Sequence, residues 1–336
     1  MLAVLNPRGK DPFISYEQGP GSYKPGIHPP VNFHAYAAAT GGAFCQEVEQ
    51  VMEDSRFRLC LLLLRRRIAP CLEAIRRLKD AGLPVLVSWK ETGHTQLAAQ
   101  LADPALWPPY SEILALADGV LSPTLVPFPL PPLPSASDLP FLPIPTPYPL
   151  EAKDWDYSRP IEERSGIFLG TREFFQPARN HLAALTLALR EAERHDTHVT
   201  LVQSEKAKGR KLLHRLVPSG QRLRVIEGRL PYDDYLRLIS AHRLVFQLDR
   251  SGVPGQVAGD TLLCRSLCLG GDSAIERLAF SHEPGETPTS NRLSRLLEDD
   301  QALQESIDQS QKKAKKRLTY QRVAKELETA TSHFAT

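Results

Sequence analysis

Between residues 123 and 149 the chain places a proline at 123, 127, 129, 131, 132, 134, 140, 143, 145, 147 and 149. Proline fixes φ and has no N–H, so neither a helix nor a central strand can run through this stretch. Regular structure must be organised on either side of it. The prolines are interleaved with Leu, Phe and Ile and carry little charge. That composition leaves two readings, an ordered, partly buried connector between domains or an exposed Pro-x-x-P ligand, and the apolar interleaving favours the connector.

Both flanks alternate short apolar runs with helical stretches. In the first half, Leu2–Leu5, Arg58–Leu64, Val85–Ser88 and Gly119–Ser122 read as buried strands. Helices are expected over Val31–Thr40, over Ala69–Ala81 with Leu72, Ile75 and Leu78 on one face, and over Glu112–Ala117. In the second half the strands are Ser165–Gly170, His198–Gln203, Leu223–Glu227, Leu244–Leu248 and Cys268–Gly271. The helices between them are Asn180–Arg194, Gly209–Leu216, Asp233–Ala241 and Gln256–Leu267. Strands separated by single helices imply βαβ units on parallel sheets. The chain of 336 residues is long enough for two domains at about 100–200 residues each. The expectation is an α/β protein of two Rossmann-like domains facing each other across a cleft. The first spans 1–125, a proline-rich connector 126–160, the second domain 161–298, and a C-terminal helix 299–336 packs back on the first domain.

Charge and cysteines exclude several classes. Lys and Arg number 41 against 39 Asp and Glu, a net charge of +2. The basic runs Lys206, Lys208, Arg210, Lys211 and Lys312, Lys313, Lys315, Lys316, Arg317 have no interleaved aromatic pattern. They read as solvated helix faces, and no nucleic-acid partner is expected. The five cysteines, 45, 60, 71, 264 and 268, form no Cys-x-x-Cys pair and read as reduced, buried thiols. The longest aliphatic run, Leu59–Leu64, is too short for a transmembrane segment. Leu2–Leu5 followed by Asn6-Pro7-Arg8-Gly9-Lys10 lacks the form of a secretory leader. A cytoplasmic location is expected.

Ligands of open parallel sheets bind beyond the carboxyl ends of the strands, so the loops there are the candidates. Gly170 ends a strand and leads through Arg172 and Arg179 to a helix beginning near Asn180. Backbone N–H groups at such a junction already favour an anion, and guanidinium groups clamp a diphosphate bidentately. Ordinary salt-bridge partners are the other reading of both arginines. A second strand runs through Asp249 into Ser251-Gly252-Val253-Pro254-Gly255-Gln256-Val257, and Asp260 follows one turn into the next helix, where it can accept ribose hydroxyls. No Lys-Ser/Thr follows these glycines, and no Gly-x-Gly-x-x-Gly follows the first strand, so neither a P-loop nor a dinucleotide fingerprint is present.

Taken together, residues 165–280 resemble the donor domain of retaining GT-B glycosyltransferases. The resemblance implies that Arg172 and Arg179, with Gly255, Gln256 and Val257, hold the diphosphate of a nucleotide sugar. It implies that Gly170, Asp249 and Asp260 meet the ribose or sugar, and that Glu227, Gly228 and Arg229 lie by the base. Asp260 matches the second of two family glutamates; Ser251-Gly252 stands where the first is expected. The activity implied is metal-independent glycosyl transfer from a nucleotide-sugar donor, as substrate with no cofactor, to an unidentified glycan, lipid or protein acceptor. A nucleotide-sugar epimerase and a non-catalytic binding protein of the same fold are the alternatives. In the first half, Glu91 and His94 follow a buried strand and are candidate catalytic bases for the acceptor, or structural groups. His28 and His34 line the cleft or are surface and capping residues.

Overall fold

The computed structural model describes residues 1–20, 29–128, 139–170, 173–217, 222–280 and 289–334. The chain divides into two compact units, Met1–Pro149 with Arg317–Thr336, and Leu150–Lys316. The segment expected as a connector is thus shared, through Pro149 with the first unit and from Leu150 with the second. Of the expected C-terminal helix, only the part from Arg317 joins the first unit.

The first unit runs β1 (Leu2–Leu5), β2 (Ile14–Ser15), α1 (Phe33–Ala39), β3 (Ala43–Cys45), α2 (Val48–Met52), β4 (Leu59–Leu64), α3 (Ala69–Asp80), β5 (Val85–Trp89), α4 (His94–Leu101), α5 (Trp107–Leu116), β6 (Gly119–Leu121) and β7 (Phe141–Leu142). The strand order is β2-β3-β1-β4-β5-β6-β7, parallel throughout except for β2. Alternation along each strand sends side chains to opposite faces. Leu5, Leu62, Leu64, Val87 and Trp89 pack with Ile75 and Leu78 of α3 and Tyr110 and Ile113 of α5. Val4, Leu61, Leu63 and Leu86 pack on the other side with Phe33 and Tyr36 of α1 and with Val323 and Leu327 near the C-terminus.

Part of the proline-rich stretch is built into this unit. β7 pairs in parallel with β6 at the sheet edge, where a strand flanked by prolines is tolerated. Beyond it Ile144 and Tyr148 are 4% and 0% exposed. Tyr36 donates its hydroxyl to the Ile144 carbonyl at 2.8 Å, and the Tyr148 N–H reaches the Leu318 carbonyl at 2.7 Å.

The second unit runs β8 (Ile167–Leu169), α6 (His181–Arg194), β9 (Val199–Gln203), α7 (Lys206–Leu216), β10 (Leu223–Glu227), α8 (Tyr232–Ser240), β11 (Leu244–Phe246), α9 (Gln256–Leu263), β12 (Cys268–Leu269), α10 (Thr289–Glu298) and α11 (Asp300–Arg317). The final helix, α12 (Tyr320–Phe334), lies in the first unit. All strand pairs of the second sheet are parallel, in the order β10-β9-β8-β11-β12. The order reverses between β8 and β11, which is where ligands bind in open α/β sheets. The corresponding reversal in the first sheet lies between β1 and β4.

The expected strands are present, several shorter than read. β2, β3, α2, α4 and β7 had no sequence signal strong enough to separate them from loops. The helix expected over Val31–Thr40 starts only at Phe33, because Asn32 has φ 53°, and ends at Ala39, with Thr40 as its non-helical cap. The helix expected to continue to Leu267 stops at Leu263, with Arg265 at φ 42°. Among the described residues, no helix is long and apolar enough to cross a membrane.

All five thiols are free and buried. Burial pushes Cys45 up to about 12 and Cys71 up to about 11, and holds Cys60, Cys264 and Cys268 well above the ordinary thiol value. The native chain is therefore expected to react with no thiol reagent at pH 8 and the urea-unfolded chain with all five cysteines; a fast-reacting native thiol contradicts this packing. Gly42 tests the first sheet. A Cβ there would stand 1.9 Å from the backbone oxygen of Leu2, so Gly42→Ala is expected to destabilise by about 1–3 kcal/mol in a denaturant titration.

Candidate functional site

At the reversal point of the second sheet, Gly170 follows β8 and α9 begins after Gly255. A Cβ on Gly170 would lie 2.7 Å from Val257 Cγ1 and 3.1 Å from Val245 Cγ1. Glycine here lets the first turn of α9 close onto the strand end. Gly255 caps α9 at φ 105°, and a Cβ would stand 2.1 Å from Ser273 Oγ. Gly170, Gly255 and Val257 are thus brought together, with Gln256 exposed beside them. The first N–H groups of α9 have no carbonyl four residues back within the helix, which makes this end an anion-favouring terminus. Arg172, expected at the diphosphate, lies outside the described residues.

Arg179 ties the two loops into one plate. Its Nε donates to Glu173 Oε2 at 2.7 Å, and its Nη1 donates to Asp249 Oδ2 at 2.5 Å and Ser251 Oγ at 3.0 Å. Asp249, 4% exposed, accepts in addition from Ser251 N at 2.7 Å and Ser251 Oγ at 2.5 Å. Burial opposes the Arg179 charge, but Asp249 and Glu173 outweigh it and hold its pKa above the ordinary value. Of the two readings open for this arginine, the salt-bridge partner is what the geometry displays. Asn180, in the left-handed region at φ 50°, adds a bond from Nδ2 to the Leu248 carbonyl at 3.0 Å.

The remaining expected residues are dispersed. Asp260 is 1% exposed, and its Oδ1 accepts the Tyr232 hydroxyl at 2.5 Å. Through this bond the carboxylate braces α9 against the start of α8. Glu227, Gly228 and Arg229 are exposed at the end of the edge strand β10. Glu227 Oε2 accepts from Gln203 Nε2 at 3.1 Å and Arg210 Nη1 at 3.2 Å. Two strand spacings, about 10 Å, separate this end from that of β8. In the first unit Glu91 and His94 lie together in the exposed junction between β5 and α4. His34 is a core residue, stacked on Phe44 at 3.7 Å and bonded to Tyr16 at 2.9 Å; His28 lies outside the described residues.

Two buried polar groups escaped the sequence reading. Glu276, 4% exposed, accepts from Gln247 Nε2 at 2.9 Å and from Ser273 N at 2.9 Å. Its turn is laced to the Gly255 loop by Ala274 N to Val253 O and Ile275 N to Pro254 O, both 3.1 Å. Gly270-Gly271 was the available signal, since a Cβ on Gly271 would lie 2.1 Å from Glu276 Oε1. Asn6, 0% exposed at the end of β1, has no hydrogen-bond partner for either side-chain polar atom among the described residues. It sits at the reversal point of the first sheet, and a buried polar group left without a partner calls for a reason.

No protein-family model matches the sequence, and no curated protein sequence matches it. Solved structures do. A UDP-forming α,α-trehalose-phosphate synthase from Burkholderia xenovorans aligns at TM-score 0.60 and 12% identity, over 91% of this chain and 80% of the other. An α-glucosyltransferase in complex with UDP-glucose and DNA containing an abasic site aligns at 0.61 and 9%, over 98% and 99%. A putative UDP-N-acetylglucosamine 2-epimerase from Listeria monocytogenes aligns at 0.50 and 14%, over 86% and 77%. The class these alignments define is the GT-B fold of nucleotide-sugar glycosyltransferases, and this chain has that fold.

Two buried histidines give the second unit a pH signature. Burial lowers His181 to about 3 and His242 to about 4. Above pH 6.5 both states are neutral; between about pH 4 and 6.5 only the unfolded chain takes up these protons, so stability falls as pH falls. The urea midpoint is expected to drop across that window. His242→Gln, whose side-chain oxygen can accept from Thr200 Oγ1 as the neutral imidazole Nε2 does, should flatten part of the slope, and an unchanged slope contradicts the assignment.

Proposed function

We propose that the protein is a glycosyltransferase that moves a sugar from a nucleoside-diphosphate sugar to an acceptor hydroxyl without a divalent metal. The observation that carries this is the plate of strand-end loops at the β8–β11 reversal point, locked by Arg179 and ending on the N-terminus of α9. The GT-B likeness supports the reaction class. In this reading the acceptor oxygen bonds to the anomeric carbon as the bond from that carbon to the diphosphate oxygen breaks. The acceptor proton passes to a base, for which Glu91 and His94 are the candidates. Negative charge gathers on the leaving diphosphate, where the α9 amides and Arg172 meet it, while Arg179 holds the loops in place. Preorganised donors of this kind do the work that a bound cation does in other transferases. Glu227, Gly228 and Arg229 receive the base at the edge strand.

The second reading is a binding protein of the same fold that carries out no transfer. Asp260 turned onto Tyr232 and Ser251-Gly252 in place of an acid favour it. A calorimetric screen of UDP, GDP, ADP and CMP sugars, followed by product analysis in EDTA, separates the two. Transfer or donor hydrolysis in EDTA supports the enzyme; tight binding without turnover supports the binding protein. Arg172→Ala is expected to weaken donor binding at least about tenfold, the size of one charge-assisted contact. Arg179→Ala is expected also to cost about 3–5 kcal/mol in stability, by leaving Asp249 buried without its cation.

A further inference from the structure

The basic run on α11 has no part in the proposed reaction. Lys312 and Lys315, with Asp308 one turn before, share one face of that helix and line a concave pocket of about 490 Å³ in the second unit. Its other wall is Arg159 and Arg164, from the segment leading into β8, and Arg265, from the turn before β12. Arg164 and Arg265 precede their strands, whereas Gly170 and Gly255 follow theirs. The pocket therefore belongs to the opposite edge of the sheet from the loop plate.

Arg164 is the unusual member. It is 7% exposed, and its hydrogen bonds go to neutral carbonyls. Nε and Nη2 donate to the Arg159 oxygen, Nε at 2.9 Å, and Nη1 donates to the Arg265 oxygen at 3.0 Å. None of the ion pairs among the described residues involves Arg164, and burial holds its pKa below the ordinary arginine value. Around it only Arg265 is neutralised, by Asp156 at 3.1 Å. Asp308, the one acid on the wall, accepts from Gln304 at 2.9 Å. Arg159, Lys312 and Lys315 form no ion pair among the described residues. Buried charge in proteins is ordinarily paired, and here a buried guanidinium is surrounded by further cations.

We propose that this pocket binds a small, multiply phosphorylated molecule, its phosphoryl oxygens held by Arg159, Arg265, Lys312 and Lys315 over the buried charge of Arg164. The volume is that of a small-molecule site. A bilayer surface or a duplex touches the exposed lysines but does not enter a concavity to neutralise a charge at its base. The site is separate from the donor loops, so it stands whether or not the chain transfers sugar.

The test is calorimetric titration of the full chain with tripolyphosphate, scoring only binding that is lost in a variant of this pocket, so that binding at the donor loops does not count. The charge-reversed variant Lys312→Glu/Lys315→Glu, altered only at exposed positions, is the comparison, with its fold checked by circular dichroism. Expected are binding by the wild type that weakens with salt and an affinity at least about tenfold lower in the variant. No binding by the wild type overturns the proposal, as does equal binding by the variant. Anionic phosphatidylglycerol vesicles or duplex DNA form the control arm. Binding of either through the same lysines, with none of tripolyphosphate, overturns it in favour of a surface contact.

Discussion

Parallel pairing is the constraint on which the rest of this molecule depends. A parallel strand is joined to its neighbour only by a crossover, so helices cover both faces of each sheet and the strands read as continuous apolar runs. Leu59–Leu64, wholly buried, is the clearest case. With both faces used for packing, polar chemistry is left to the strand ends. The reversal of strand order then selects which ends. In the second sheet that selection falls on β8 and β11, and the loops leaving them are the two that Arg179 joins.

The Arg179 lock follows from the same geometry. Two loops that leave adjacent parallel strands run side by side, so Glu173, Asp249 and Ser251 converge on one guanidinium although Arg179 and Asp249 are 70 residues apart. Removing Asp249 from water is costly, and a cation with two hydroxyl or amide donors offsets that cost. Glycine supplies what side chains cannot. Gly170 admits Val257, and Gly255 admits Ser273, so the loops close to contact distance. Behind them Glu276 and Gln247 fasten the turn after β12 to the same plate. The opposite edge of the sheet has a different character, with Arg164 buried there and in none of the ion pairs among the described residues.

Much of the architecture was legible in the sequence. The runs LCLLLL and VLVSW are too short and too apolar for anything but buried strands, and the alternation with amphipathic helices such as Ala69–Asp80 leaves few topologies. Three-residue and two-residue strands such as β3 and β7 were not legible, because their hydrogen bonds come from strands distant in sequence. The site was legible only as a neighbourhood. Gly170, Gly255 and Val257 do meet, yet Asp260 faces Tyr232, a residue 28 positions earlier whose approach depends on how α8 packs. Arg179 carried two readings on spacing alone, and its ion pairs with Glu173 and Asp249 depend on a convergence of loops that spacing does not encode.

The sequence by itself determined the α/β class, the two βα series and the loops in which chemistry can occur. These depend on local periodicity, on proline and glycine, and on the apolar cost of leaving such strands in water. Tertiary structure alone decided where the prolines go, with β7 and Ile144 built into the first unit, and which helix closes that unit. It also decided which charges meet. Asp249 is neutralised by Arg179, while Arg164 is buried beside Arg159 and Arg265, because charge pairing depends on distances across the fold that no local pattern encodes.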